Sequence, residues 1–324
     1  MFVFLTLLAL STNLEPILNL PLEGLGVYRP TLEHPMLAVN DNGNVVLADQ
    51  NGPRLLFLDA QGNLRKTLAK KGSGPGEFQR IDMVCRTKDG LAVWDGLNRR
   101  LTLLSASGTF LSEKTFTETI RQPFMSAWNR FFFVRRDRGA DLELDYFLRV
   151  QEAEGNTRDL FSGSGPSAVM MKWIPRMEFG VGRHIAAANM GTTTDMSIID
   201  LSSGEQKTIS LDLPAVAVSR KFYDDEMRAM AGTGKGPPPG MVPQPENWPT
   251  VRNISIDDQQ RIWVFGWQEP ATKARFLVLD RNGKILHQGL VAGDVQVVQQ
   301  GYLYAVYMDK EDELYLRKYH SPLP

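Results

Sequence analysis

The stretches "NDNGNVVLADQNGPRLLFLDAQGN" (40–63) and "RTKDGLAVWDGLNRRLTLLSASGT" (86–109) superimpose along their length. Each holds an apolar run, an aspartate (Asp49, Asp95), a short polar turn, an arginine five residues on (Arg54, Arg100), a second run and a closing glycine. The closing glycines fall at Gly62, Gly108, Gly155 and Gly204, spaced 46, 47 and 49 residues apart, and a fifth, Gly283, follows 79 residues later. Self-similarity at a fixed period of this length is the signature of stacked repeats. The runs between the turns ("NVVLA", "LLFL", "LTLL", "RIWVFGW", "FLVL") are short and β-rich, without helical periodicity, so the unit is a small sheet. "DNGN", "KDG" and "RNG" supply the positive-φ residues of hairpins. The expected fold is an all-β propeller.

Five blades follow from the glycines, and "DVQVVQQGYLYAVYMDKEDELYLRKY" (294–319) supplies three strands of a sixth. Too little chain remains after Tyr319 for a fourth strand, so "EPILNLPLEG" (15–24) is expected to complete the last blade and remove its exposed edge. The six-bladed domain then spans 14–324, with one helix-loop insertion, about 214–249, between blades four and five. Within it "SRKFYDDEMRAMAG" predicts a short helix, with Ser219 as N-cap and an apolar stripe of Tyr223, Met227 and Met230. Two readings stay open for the insertion: a lid over a ligand, or a decorated loop packed on its neighbours.

Residues 1–13 begin with "MFVFLTLLALST", an apolar run of secretory-signal length and too short to span a bilayer. A basic segment before it is missing, and a hydrophobic first strand is the alternative. A net charge of -1 gives no field to gather nucleic acid or an anionic membrane. The single cysteine, Cys85, excludes an internal disulfide and any multi-cysteine metal site, and its apolar surroundings predict burial.

"KKGSGPGEFQR" (70–80) looks like a phosphate-wrapping loop, but a dinucleotide fingerprint from Gly72 would need glycine where Glu77 stands. "AGTGKG" (231–236) fails as a P-loop, with Ala229 and Gly236 at required positions. The glycines read instead as the crossing from the rim of one blade to the axis beside the next, and "SGSGPS" (162–167) reads as an equivalent crossing. "GSGPGEF" and the strand pattern after it resemble the NHL-repeat class of six-bladed propellers, especially bacterial, often exported, members with a G-x-GPGEF junction. The resemblance implies a six-bladed propeller and leaves activity open, because the class mixes enzymes, sensors and interaction platforms.

Strand direction puts the glycine crossings, the "ADQNGPR" and "WDGLNRR" turns and the insertion on one face, around the mouth of the central channel. Enzymes of the resembled class carry metal ligands at the inner-strand starts. Here those positions are His34 or Pro35, Asp82, Gln122, Arg176, Arg252 with Asn253, and Asp294. Two aspartates interleaved with arginines do not suit a calcium cluster, and His34 alone among the four histidines does not make a zinc site. The expectation is a non-catalytic platform that binds a protein, peptide or carbohydrate through Arg80, Asp82, Arg176, Arg252, Asn253 and Asp294. Trp248 is expected there as an exposed aromatic contact. No cofactor is expected; calcium or zinc belongs only to the alternative, a metal-assisted lactonase or lyase. A surface or signalling scaffold is a third reading. The protein is expected to be a monomer outside the cytoplasm, periplasmic or secreted, with no membrane span and no nucleic-acid partner. Asp49 and Asp95 read as caps for backbone N–H groups.

Overall fold

A strand apolar at every position can be buried only between two neighbouring layers. "VVLAD" (45–49), "GLAVWD" (90–95) and "IAAAN" (185–189) are buried at every residue, whereas the outer "FLSEKT" (110–115) is exposed throughout. The sheets therefore stand radially, with wet rims and dry flanks. The computed structural model describes residues 12–27, 36–49, 52–117, 120–126, 130–138, 143–152, 155–166, 177–232, 244–268 and 272–324. Residues 1–11, where a signal segment is expected, lie outside the described residues.

In chain order, β1 (Thr12–Asn13) and β2 (Pro16–Pro21) precede blade one. Blade one is β3 (Leu37–Val39), β4 (Val45–Asp49), β5 (Arg54–Leu58) and β6 (Leu64–Ala69). Blade two is β7 (Ile81–Arg86), β8 (Gly90–Asp95), β9 (Arg100–Ser105) and β10 (Phe110–Thr115). Blade three is β11 (Arg121–Met125), β12 (Phe131–Arg138), β13 (Glu143–Gln151) and β14 (Thr157–Pro166). Blade four is β15 (Glu178–Val181), β16 (Ile185–Asn189), β17 (Asp195–Asp200) and β18 (Gln206–Ser210). The helix α1 (Arg220–Gly232) follows, and then blade five with β19 (Asn253–Ile256), β20 (Ile262–Gln268), β21 (Lys273–Leu279) and β22 (Ile285–Ala292). Blade six is β23 (Asp294–Gln299), β24 (Tyr302–Met308) and β25 (Leu314–His320), completed by β2.

One apolar core fills each of the six seams. Phe78 and Ile81 pack on Leu55 between blades one and two, and Trp94 meets Phe131 between two and three. Tyr146 and Met190 join three to four, Ile198 and Ile254 four to five, and Phe276 and Leu303 five to six. Leu37, Leu47, Tyr304 and Leu316 close six onto one. Cys85 is buried in the seam between blades two and three, where burial pushes its thiol up to about 12.

The chain's beginning straps two blades. β2 pairs antiparallel with β25, and Arg317 Nε donates to Asn19 Oδ1 at 2.7 Å. β1 pairs in parallel with β22, adding a fifth strand to blade five, and Leu14 N–H donates to Leu290 O at 3.0 Å. Gly289 permits this approach, since a Cβ there would stand 2.4 Å from Thr12 O and 2.6 Å from the Phe276 ring.

On the face opposite the channel mouth, one side chain braces each of several hairpins. Asn40, Asp59, Asp257 and Asp280 each accept from the N–H groups two and four residues on, and Asp309 does the same in the β24–β25 turn on the channel-mouth face. These bonds favour the ionised acid. The Asn63 side chain, its backbone N–H and Arg65 hold Asp59 down at about 2, and the Ser202 hydroxyl with nearby backbone N–H groups holds Asp200 below the usual range.

"SGSGPS" is not a crossing loop. Ser162–Pro166 continue β14, the outer strand of blade three, paired with β13 out to Glu143. Gly163 there serves close packing, because a Cβ would lie 2.7 Å from Met190 Cγ.

Two outcomes follow. Gly289→Val should displace β1 and lower stability by about 1–3 kcal/mol in urea unfolding, with lost hydrogen-exchange protection at Leu14. The lowered pKa values of Asp59 and Asp200 contribute stability that is complete above the ordinary carboxylate value of 3.8 and lost as pH falls towards 2. Asp59→Asn should therefore flatten the fall of thermal midpoint between pH 4 and 2 while changing the profile little above pH 5, as read by calorimetry.

Candidate functional site

The antiparallel order of each blade places the β8–β9 and β16–β17 turns, the exits of the outer strands and the entries to the inner strands on one face. The glycine crossing into blade two is built around an anion of its own. The Glu77 carboxylate folds back into the loop and accepts from Gly74 N–H at 3.0 Å, and side chains at Gly72 or Gly74 would collide with it. Phe78, fully buried, anchors the far end. From the next hairpin, Arg100 donates to the carbonyls of Ser73 (2.9 Å), Gly74 (3.0 Å) and Glu77 (2.5 Å). Arg54 repeats the device one blade earlier, with bonds to the carbonyls of Leu25 (3.1 Å) and Gly26 (2.6 Å). The repeated arginine is thus a clamp on the preceding crossing, and the loop is closed by protein groups.

The repeated aspartates follow suit. Asp95 accepts from the N–H groups of Gln79 (2.6 Å), Leu97 (3.1 Å) and Asn98 (3.0 Å), and Asp49 accepts from Arg54 Nε at 2.8 Å.

At the inner-strand starts the charged residues pair with one another. Arg80 lies 2.7 Å from Asp82, with the arginine side chain 48% exposed and the aspartate 14%. Burial pushes the Asp82 carboxyl above its ordinary value; Arg80 opposes that, and the nearby Asp95 charge adds to it. Arg252 lies 3.2 Å from Asp294, and each side chain is only 10% exposed. Asn253 donates to Val295 O at 2.6 Å, tying blade five to six. Gln296 spans from Asp294 to Met36 N–H, tying six to one. Arg176 and His34 lie outside the described residues, and Gln122 is described by its backbone alone. The described positions do not fit a hard cation: guanidinium groups occupy both carboxylates, and Asn253 presents its amide as a donor. Among the described residues no three His, Cys, Asp or Glu side chains converge as metal ligands.

Trp248 is not an exposed contact. It is 5% exposed, with Phe222 of α1 at 4.7 Å and Trp267 stacked at 4.0 Å between ring centroids. The Arg252 guanidinium lies 4.6 Å from the Trp267 ring. A continuous stack therefore runs from the inserted helix through Phe222, Trp248, Trp267 and Arg252 to Asp294 at the mouth. The segments leading into and out of the insertion form a ribbon, with Trp248 N–H on Val216 O (2.8 Å) and Val218 N–H on Glu246 O (3.0 Å). Ser219 caps α1 through Phe222 N–H at 3.3 Å, and Tyr223 and Met227 pack on this ribbon. The described part of the insertion is a packed decoration; the side chain of Met230 lies outside the described residues.

Sequence reading missed what lies beside that stack. A cleft of about 360 Å³ separates the blade-four turn from the ribbon, lined by Thr192, Thr194, Pro214, Val216, Asn247 and Trp267, among others. None of its described lining residues is charged. Thr250 N–H donates to Gly191 O at 3.2 Å across its base.

No described protein family and no curated protein matches the chain. Solved structures do. A Bacteroides fragilis protein named as exported shares 11% identity over 97% of each chain, with a TM-score of 0.52. A luciferin-regenerating enzyme shares 10% identity, covering 95% of this chain and 96% of its own, with a TM-score of 0.53. Regucalcin from Agrobacterium tumefaciens, a calcium-binding protein, shares 12% identity over 96% of this chain and 97% of its own, with a TM-score of 0.50. At these identities the likeness is one of fold: the chain is a six-bladed β-propeller, an architecture that serves both enzymes and binding proteins.

Truncating one member of a buried ion pair strands the other, at a cost of about 3–5 kcal/mol. Arg252→Met should lose stability on that scale in chemical denaturation, while Arg252→Met with Asp294→Leu should recover most of it.

Proposed function

We propose that this protein is a non-catalytic binding propeller that receives an extended peptide segment of a partner on its channel-mouth face, in the cleft between the blade-four turn and the insertion ribbon. The observation that carries this reading is the division of the face. The described charged residues at the inner-strand starts are satisfied by one another, and the neighbouring cleft is uncharged. Catalysis by polarisation or proton transfer would call for unpaired charge in the pocket. Recognition of a neutral backbone needs amides, hydroxyls and apolar walls, as Thr192, Thr194, Asn247 and Pro214 provide.

The ribbon supports a peptide over a carbohydrate. Sugars favour an open aromatic face, and here Trp248 is enclosed between Phe222 and Trp267. Because Val216 and Val218 turn their backbone groups inward to the ribbon, alternation turns those of Ala215 and Ala217 outward, and both alanines are exposed. An added strand finds backbone partners on such an edge. On the return segment Pro245 and Pro249 lack the N–H needed to do the same.

The same reading sets the protein outside the cytoplasm, on the apolar opening of the sequence and the likeness to a bacterial protein named as exported. Among the described residues no helix is long and apolar enough to cross a membrane. The junction and blade pattern support an NHL-like repeat.

Peptide-library selection on the intact protein tests the reading. Selected peptides should lose at least about tenfold in affinity, roughly 1.4 kcal/mol, for Thr192→Trp, which fills the cleft, and for Ala215→Pro, which stiffens the edge. Equal binding to both variants would sink it. So would a stoichiometric, chelator-sensitive metal accompanied by ester or lactone turnover, which favours the metal-assisted alternative.

A further inference from the structure

The inside of the "KKGSGPGEFQR" loop is closed by Glu77 and Arg100, but its outside is not. Lys70 and Lys71 are exposed on the channel-mouth face, where β6 ends. Phe78 N–H donates to Lys70 O at 2.8 Å and Gly72 N–H to Phe78 O at 3.2 Å, which brings Gln79 and Arg80 beside the two lysines. The β8–β9 turn stands against this loop. Asn98 Nδ2 donates to Gly72 O at 3.3 Å, and the Ser73 hydroxyl donates to Asn98 Oδ1 at 3.2 Å. Gly96 packs on the Arg80–Asp82 pair so closely that a Cβ would lie 2.9 Å from Arg80 Nη2. Leu97, at the tip, is 58% exposed, the most exposed large apolar side chain among the described residues. Its turn is braced from below: Asp95 accepts from the N–H groups of Leu97 and Asn98 and from Asn98 Nδ2 at 2.7 Å. On the far side of the tip Arg99, at φ +48, is exposed and donates through Nη1 to Thr117 O at 3.1 Å.

Around Leu97 the cations outnumber the available acids. Asp82 is taken by Arg80, Glu77 is folded into the loop, and Asp95 is buried under the turn. Lys70, Lys71 and Arg99 meet no carboxylate among the described residues. Like charges gathered on one surface repel, and an anionic partner relieves them. A nucleic acid or a sulfated polysaccharide would neutralise them through its phosphates or sulfates and leave Leu97 in water. A polypeptide carrying carboxylates beside an apolar side chain satisfies both features. Because the turn is braced beforehand, presenting Leu97 to such a partner costs little ordering on binding.

We propose that the blade-two tip and the adjoining loop form a docking surface for an acidic peptide segment of a partner protein, with carboxylates on Lys70, Lys71 and Arg99 and an apolar side chain on Leu97. The surface lies at the seam of blades one and two, three seams round the ring of six from the uncharged cleft between blade four and the insertion. It therefore stands across the channel mouth from that cleft and does not depend on it.

Fluorescence anisotropy on the intact protein tests the surface. The probes are a labelled peptide of glutamates flanking a single leucine, the same peptide with serine for leucine, and the same peptide with lysines for glutamates. The glutamate–leucine peptide should bind, and should weaken at least about fivefold between about 30 and about 300 mM sodium chloride. Lys70→Glu with Lys71→Glu should cost at least about tenfold. Leu97→Ser should cost about fivefold against the leucine peptide and little against the serine one. All these side chains are exposed, so an unchanged thermal midpoint verifies that each variant is folded. Thr192→Trp, which fills the cleft across the mouth, should leave this binding unchanged, so the two surfaces fail or stand separately. No binding of the glutamate–leucine peptide at millimolar concentration and low salt, equal binding of the lysine peptide, or undiminished binding in the double lysine variant or in Leu97→Ser would overturn the proposal. Heparin binding tighter than the peptide and indifferent to Leu97→Ser would assign the surface to a polyanion and overturn it as well.

Discussion

Because each sheet buries its flanks only against the next blade, a ring of six has no stable intermediate edge, and the pairing of β2 with β25 carries a burden out of proportion to its length. Without it β25 would present a row of unpaired amides and carbonyls to water or to another chain. With it, the seam between blades six and one fills like the other five, with Tyr304 and Leu316 against Leu37 and Leu47. Every position on the channel-mouth face is set by that closure. Asn253 reaches Val295, Gln296 reaches Met36, and the inner strands are held in a fixed circle.

Most of the architecture was legible because the repeat writes it locally. Asp49 with Arg54 and Asp95 with Arg100 sit within one hairpin each, so their spacing reports the turn directly. The glycine crossing was legible as structure for the same reason, although its details were not. That Arg100 grips three of its carbonyls depends on how the chain returns more than twenty residues later. "SGSGPS" misled because glycine serves two ends, a positive-φ turn and close approach of neighbours, and composition does not separate them. The site was legible only as a face. Arg252 and Asp294 are 42 residues apart in neighbouring blades, and nothing in their local sequence announces the pair. Trp248 was misjudged because its enclosure needs both α1 and the end of β20, which the sequence separates widely.

The aromatic stack gives the insertion a structural meaning that a loop of its composition would not suggest. Helix α1 is marginal on its own at thirteen residues, and its apolar side is satisfied by the ribbon and the two tryptophans. The stack ends on a nearly dry ion pair at the mouth, so movement of the helix would disturb Arg252 in a medium where charge separation is costly. The insertion thus behaves as part of the channel rim, with the cleft between it and blade four as a fixed recess.

The strap formed by β1 and β2 also imposes an order on the molecule's history. Strands made before blade one are here among the last to find their partners, because β22 and β25 lie in blades five and six. A growing chain can therefore assemble its early sheets but cannot seal the circle until blade six has been made.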